Sequence, residues 1–261
     1  MDAGYNLEGD YYANDNWSKT GYEIWDWETN WTGPDPGITY DESDPQWAKA
    51  AISYYRTQYE QAVGNNDHAK TKEAYAQIYT IKEYVANNTV PGAILDIEPI
   101  TQQPYDMACV PTSLLMISNY YFPEDGYTLE NMRQMLNKTL QYDVFRYGVF
   151  HDDHEKITRS TPFQCTLNST YIIGEMVSFT DSDIVVSELK NSNPLMGIVY
   201  WENGNSHAVV ICGYITVNSE TGILYNDPWD GTQHYIPYYN FIVKNGFDGN
   251  GTLGSYFTTS K

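Results

Sequence analysis

Two runs of helical periodicity occupy residues 45–87. In the first run Trp47, Ala51 and Tyr54 lie on one apolar stripe, and in the second Tyr75 and Ile78 continue the same spacing. The letters GNND between the runs bring glycine and asparagine, which commonly end a helix. The pattern predicts a helical hairpin across residues 45–87, which the letters NNTVPG then end.

Beyond residue 92 the helical patterns come first and the strand patterns come later. Helical spacing covers residues 109–121, 127–140 and 178–193, the last run with Thr180 or Ser182 as its expected cap. Short β-rich runs follow at residues 195–201, 207–217, 222–228 and 234–242. Helices followed by hairpin-connected strands predict an α+β fold with an antiparallel sheet.

The first 44 residues show neither the helical spacing of residues 45–87 nor the helix and strand patterns found beyond residue 92. They are acidic and rich in glycine, asparagine and proline, and they contain Trp17, Trp25, Trp27 and Trp31. This composition predicts irregular loops. Their rings either pack against the rest of the protein or form a surface that binds sugar or cell-wall polymers. We therefore expect an accessory segment at residues 1–90 and a main domain at residues 91–261.

The charge balance restricts the classes of partner. The formal net charge is -20, from 34 acidic and 14 basic residues, so a cationic surface for nucleic acid or anionic membrane is not expected. No apolar run is long enough to span a membrane. Scarce lysine and abundant asparagine, threonine and aromatic residues favour a secreted or cell-surface protein whose signal peptide has been removed. The three cysteines allow at most one disulfide.

The stretch QQPYDMACVPTSLLMI, residues 102–117, places Cys109 at the start of a helix. Pro111 follows two residues later, and proline is tolerated in the first helical turn. The free N–H groups and the dipole at a helix N-terminus favour a thiolate, which is the nucleophilic form of cysteine. Cys109 is therefore the candidate nucleophile.

A glutamine stands six residues before this cysteine, at Gln103. Its carboxamide N–H₂ and the backbone N–H of Cys109 are two donors of the kind that form an oxyanion hole. Gln102 could serve with a slip of one residue, and Gln103 is the preferred candidate.

The candidate base is His207, because it opens an apolar strand immediately after a polar turn. Asp227 ends the next strand, and a short loop makes the two strands a hairpin. We expect His207 Nδ1 to meet the Asp227 carboxylate across this hairpin. Asn226 is the alternative orienting residue, although strand alternation points its side chain to the opposite face if Asp227 faces the cleft.

Three further groups are expected to be structural. Cys212 lies within the apolar strand of His207 and is predicted to be a buried thiol. Cys165 shows no partner in the sequence. The letters HDDHE at residues 151–155 could form a metal site, but a solvated loop is the preferred interpretation, and no metal or cofactor is expected.

These elements, in this order, resemble those of papain-like cysteine peptidases, and most closely the bacteriocin-processing (double-glycine leader) peptidase-like family. The likeness covers roughly residues 93–245. It implies a papain-like α+β fold in which a helical part carries Cys109 and an antiparallel sheet carries His207 and Asp227, with Gln103 as the oxyanion donor. Two positions depart from the family pattern, since Val110 and Ser206 stand where the family has glycine.

The resemblance implies a thiol peptidase that uses a Cys-His-Asp triad and an acyl-enzyme on a peptide or protein substrate. We expect Trp229 and Val110 to contact that substrate. The same triad could serve an acyltransferase or a deamidase. A different class of function is a non-catalytic, polysaccharide-binding module on this scaffold. Residues 1–90 could inhibit the active site, bind a ligand or belong to the core.

Overall fold

The computed structural model describes residues 38–169, 171–172, 175–176, 182–242, 247 and 251–261. The chain divides into two compact units, residues 1–90 and 91–261. The aromatic segment with the four tryptophans, and Thr180, lie outside the described residues. No helix among the described residues is long and apolar enough to cross a membrane.

The first unit contains the predicted helical hairpin. Helix α1 (Gln46–Gly64) and helix α2 (His68–Ala86) pack against each other, and the Tyr59 and Tyr75 rings lie 6.3 Å apart. The side chain of Asp67 caps α2 by accepting the backbone N–H of Lys70 at 3.1 Å. Helical periodicity therefore predicted these two helices correctly.

The second unit begins with its helical part. Helix α3 begins at Cys109 and packs against helix α4 and strand β6. Thr128 caps α4 together with Asn131 in a reciprocal pair of hydrogen bonds. The helical elements of this unit are α3 (Cys109–Tyr121), α4 (Leu129–Leu140), α5 (Val144–Tyr147), α6 (His154–Ile157), α7 (Ser182–Lys190) and α8 (Tyr238–Ile242), with 3-10 turns at Pro123–Asp125 and His151–Asp153.

A seven-stranded antiparallel sheet in the described part of the second unit carries the other half of the fold. Along the sheet the order is β2-β9-β5-β6-β7-β8, and β1 pairs with the distal half of β6. A separate two-stranded sheet joins β3 and β4. The strands are β1 (Gly92–Ile94), β2 (Gln164–Ser169), β3 (Tyr171–Ile172), β4 (Glu175–Met176), β5 (Leu195–Tyr200), β6 (Ser206–Val217), β7 (Glu220–Asp227), β8 (Thr232–Pro237) and β9 (Thr252–Ser260).

The hairpin of β6 and β7 is the element that positions the site. Asn218 and Ser219 connect the two strands, and both have positive φ angles, 46° and 69°. Two consecutive left-handed residues make the tight turn that matches the twist of paired strands. A β-bulge between Ile211 and Gly213 shifts the register within the hairpin. The predicted hairpin is confirmed.

The fold class is confirmed, two local expectations are wrong, and one strand pairing was not predicted. Residues 238–242 form a helix rather than the end of a strand, because β8 stops at Pro237, which lacks the N–H that a strand ladder uses. Strands β2 and β9 pair across a long stretch of sequence and were not expected. Ser182 lies inside α7 as its first residue and is not the residue that precedes the helix.

Candidate active site

Cys109 is the first residue of α3, and it is partly exposed. Ala108 precedes the helix and accepts the backbone N–H of Thr112 at 3.0 Å. The N–H groups of the first helical turn have no carbonyl four residues earlier to bind, so they remain directed toward the helix N-terminus. Their partial positive charge therefore lies at the end of the helix where Cys109 stands.

The structure brings His207 and Asp227 together. Val210 pairs with Asn226 in the register of β6 and β7, and extending that register places Asp227 opposite Val209. His207 lies two residues from Val209 on the same face, so the imidazole and the carboxylate are diagonal neighbours across the hairpin. His207 Nε2 lies 2.6 Å from Asp227 Oδ1.

The ring orientation differs from the predicted one, because Nε2 and not Nδ1 meets the carboxylate. A diagonal partner lies farther away than a directly opposite one, so the distal nitrogen of the imidazole is the one that reaches it. Cys109 also raises the pKa of His207, so its sulfur lies near enough to interact with the ring.

The pKa values of the pair are shifted in opposite directions. Burial lowers the pKa of His207, but the hydrogen bonds to Asp227 and Cys109 outweigh that effect and raise the pKa to about 10. Burial raises the pKa of Asp227, and the hydrogen bond from His207 more than offsets it, so that this pKa is lowered. The Asp227 carboxylate therefore stabilises the charged form of His207.

The turn after β7 fixes the carboxylate. The backbone N–H of Trp229 donates to Asp227 Oδ1 at 2.7 Å, and the N–H of Gly231 donates to the Asp227 carbonyl at 2.9 Å. Asn226 is fully buried on the other face of the sheet, where its amide donates to the Ile97 carbonyl at 2.8 Å. The expectation that Asn226 points away from Asp227 is confirmed.

The two glutamines lie in different environments. Gln103 is exposed, and its backbone N–H donates to Thr101 Oγ1 at 3.2 Å. Gln102 is fully buried, and its backbone N–H donates to the Pro228 carbonyl at 2.6 Å. Its side-chain Nε2 donates to the carbonyls of Tyr105 and Asp106, at 3.1 and 3.0 Å. Gln102 therefore ties the segment before Cys109 to the turn that follows Asp227.

Trp229 and Val110, the two residues expected to contact the substrate, differ in exposure. The Trp229 side chain is exposed, beside the catalytic candidate Asp227. Val110 is buried in the first turn of α3, so its side chain belongs to the core and has little surface to offer a substrate. The branched side chain occupies core space that the glycine of the family pattern would leave open.

All three cysteines are free thiols. Cys212 is fully buried, as predicted, and burial raises its pKa to about 12. Cys165 in β2 is only partly exposed, and burial likewise raises the pKa of its thiol to about 12. Both thiols are held in the protonated form at neutral pH, whereas Cys109 alone has a histidine beside it.

The segment 151–155 is not the solvated loop that its polar letters predicted. His154 and Asp153 are buried, and Tyr200 Oη lies 2.8 Å from His151 Nδ1 and 3.4 Å from His154 Nδ1. Burial lowers the pKa of His154 to about 4, so the ring is neutral. In the described part of the chain, no group of three or more histidine, cysteine, aspartate or glutamate side chains could hold a metal ion. These histidines are structural.

A chain from the structural study of limited antibody cross-reactivity between the mite allergens Blo t 1 and Der p 1 is 11% identical, with a TM-score of 0.43. The match covers 66% of this protein and 71% of that chain. No curated protein sequence matches. The family model described as the Peptidase_C39 like family matches residues 94–250, more than half of the chain. The protein therefore belongs to the Peptidase_C39 like family.

Proposed function

We propose that the protein is a cysteine peptidase in which Cys109, His207 and Asp227 form the catalytic triad. The observation that supports this most strongly is the 2.6 Å contact of His207 Nε2 with Asp227, in a ring whose pKa is also raised by Cys109, the first residue of α3. A cysteine thiol becomes an activated nucleophile when an imidazole acts as its base and a carboxylate orients that imidazole.

The reaction follows from the protonation state of the site. The Cys109 thiolate attacks the substrate carbonyl and forms a C–S bond, and the His207 imidazolium gives its proton to the leaving amine as the C–N bond breaks. Neutral His207 then takes a proton from water, whose oxygen attacks the thioester and releases the acid and the thiolate. Asp227 holds the ring in one orientation throughout and stabilises its charged form.

The oxyanion that forms during each attack needs hydrogen-bond donors. The backbone N–H of Cys109, at the start of α3, is one donor that the fold directs toward this position. A glutamine amide is the second. Gln103 is the residue that the family resemblance indicates, and this residue is exposed. Gln102 holds the same segment in place through its hydrogen bonds to the carbonyls of Tyr105 and Asp106.

The bond that is cleaved is a separate part of the proposal. Peptide and isopeptide bonds both fit the triad, and a double-glycine leader peptide is one substrate to test because the sequence resembles leader-processing peptidases. Acyl transfer and deamidation use the same groups with a different acceptor or leaving group. A polysaccharide-binding role would rest on the tryptophans before residue 38, which lie outside the described residues. The acidic composition supports an extracellular location within this proposal.

Selective labelling of cysteine tests the central claim. Iodoacetamide at pH 6–7, followed by mass spectrometry, is expected to modify Cys109 much faster than Cys165 or Cys212, whose thiols stay protonated. The variant H207A should sharply lower the labelling rate of Cys109, and the matched variant H234A should leave that rate unchanged. Equal rates at Cys109 and Cys165 in the wild-type protein would contradict the proposed thiolate–imidazolium pair.

A further inference from the structure

Three polar side chains meet in the core, on the sheet face opposite Asp227. Cys212 and Asn226 are fully buried, and Gln233 is 8% exposed. Gln233 Nε2 donates to Asn226 Oδ1 at 3.2 Å and to Cys212 Sγ at 3.3 Å. We call these three residues the amide cluster. None of them takes part in the proposed reaction, although burying polar groups costs free energy unless they are hydrogen-bonded.

Asn226 is the member of the cluster whose side chain also binds a distant part of the chain. Its Oδ1 accepts the hydrogen bond from Gln233, while its Nδ2 donates to the Ile97 carbonyl at 2.8 Å. Ile97 lies 129 positions earlier in the sequence. A carboxamide carries both an acceptor and a donor, so one side chain makes both contacts. Asn226 therefore joins the amide cluster to the segment 95–102.

The segment 95–102 is also held at its start by the amide cluster. The N–H of Leu95 donates to the Cys212 carbonyl at 2.8 Å, directly after β1 has paired with β6. Cys212 stands at the β-bulge, where the register with β7 passes from Ile211 to Gly213. Bulges commonly redirect the chain beside a functional site. Two members of the amide cluster therefore anchor the same segment.

The residues on either side of Asp227 both hold the chain that leads to the nucleophile. The residue before it binds the Ile97 carbonyl through its side chain, as described above. The residue after it, Pro228, accepts the backbone N–H of Gln102 at 2.6 Å. Cys109 follows Gln102 by seven residues. These two hydrogen bonds therefore connect the strand that carries the carboxylate to the chain that carries the sulfur.

We infer that Asn226 is a positioning residue that sets the separation of Cys109 from the His207–Asp227 pair through its hydrogen bond to Ile97. This inference rests on the proposed peptidase function and adds to it a residue that acts from the opposite face of the sheet. Without the Asn226 amide the Ile97 carbonyl loses its donor, and the segment 95–102 shifts relative to β7. A misplacement of about 1 Å far from the reacting atoms can cost about 10²-fold in rate.

The pH profile of Cys109 alkylation by iodoacetamide tests the positioning role without depending on turnover. A thiol beside a well-placed imidazole reacts at a lower pH than a free thiol, because the thiolate is the reactive form. We expect N226A to lower the labelling rate of Cys109 at pH 6 by at least about tenfold, and to change the rate at pH 9 by less than about threefold. Mass spectrometry at timed points measures both rates.

Gln233 supplies the matched control, because its amide donates to Cys212 and Asn226 within the same cluster. Q233A should lower the melting temperature, as N226A does, and yet keep the wild-type ratio of the labelling rates at pH 6 and pH 9. A purely structural role of Asn226 would lower the melting temperature of both variants and change this ratio in neither. N226S, which keeps a hydroxyl and should show an intermediate fall at pH 6, replaces N226A if that protein fails to fold.

The outcomes separate the positioning role from the catalytic pair. An unchanged ratio of the two rates in N226A, or an equal fall in Q233A, would overturn the positioning role and leave the peptidase proposal standing. Failure of Cys109 to label faster than Cys165 in the wild-type protein would overturn the peptidase proposal, and the positioning role with it.

Discussion

Among the described residues, two histidine–aspartate pairs lie at the same end of the sheet, and their surroundings differ. His207 and Asp227 are 2.6 Å apart, with side chains 16% and 20% exposed. His234 and Asp230 are 2.8 Å apart, with side chains 38% and 42% exposed. The residue types and distances nearly agree, so contact geometry alone does not distinguish the two pairs.

Their neighbours differ. Cys109, the first residue of a helix, raises the pKa of His207, whereas His234 stacks on the Tyr225 ring and meets Thr232 Oγ1 at 3.0 Å. The partial burial of the first pair strengthens its electrostatic interactions, while water screens the second. A histidine–aspartate contact becomes chemically useful where a nucleophile stands on the other side of the ring.

Replacing the two aspartates should separate the pairs most strongly. We expect D227N to lower kcat by about 10²–10⁴-fold, because an amide no longer stabilises the imidazolium or its orientation. The matched variant D230N should change kcat by less than about threefold, since exposed pairs contribute little. The measurement is peptide turnover with kcat and KM determined separately. Equal losses in both variants would mean that the difference in surroundings has no catalytic consequence.

The turn that joins the two pairs also holds the glutamine segment, and Gln102 and Gln103 can be compared next. Loss of an oxyanion donor costs about 10²–10³-fold in kcat. We expect Q103A to show this loss at an unchanged melting temperature. Q102A should instead lower the melting temperature, because it removes the buried amide that donates to the carbonyls of Tyr105 and Asp106. The opposite assignment would identify Gln102 as the donor.

The raised pKa of His207 links the first pair to protein stability. The folded state holds the proton with a pKa of about 10, above the ordinary value of 6.5. The resulting stabilisation is complete below pH 6.5 and is lost as the pH rises toward 10, by at most about 1.4 kcal/mol per pH unit. Asp227, whose pKa is lowered, contributes stability above its ordinary pKa of 3.8 and loses it as the pH falls.

Denaturant unfolding of the wild-type protein and of H207A measures this linkage. The difference in unfolding free energy between the two proteins should shrink from pH 6.5 to pH 10. A difference that stays constant over this range would contradict the raised pKa and the charged state of the pair.

Gly231, between the two pairs, should show the smallest effect. Its φ angle is +70°, and a Cβ there would lie 2.9 Å from the Thr101 backbone nitrogen. G231A is expected to destabilise the protein by about 1–3 kcal/mol through backbone strain and this contact. G204A, at φ +84° with open space around it, should cost less. Thermal unfolding measures the loss of stability in each variant. Equal losses in G231A and G204A would show that the contact with Thr101 is unimportant.

Local patterns account for the elements that the sequence predicted well. The spacing of apolar residues predicted both helices of the hairpin and the helix that begins at Cys109, because a helix with one buried face needs only its own periodicity. The β6–β7 hairpin followed from two β-rich runs and a short turn. The order of cysteine, histidine and aspartate along the chain was sufficient to indicate the type of chemistry.

The sequence by itself therefore determined the main helices, the α+β class and the candidate triad. Only the tertiary structure decided which nitrogen of His207 meets Asp227, because that depends on a diagonal register across two strands. Packing also decided that Gln102 is buried while Gln103 is exposed, although the two are adjacent and identical in type. The pairing of β2 with β9 brings together residues far apart in the chain, and no local pattern encodes such a contact.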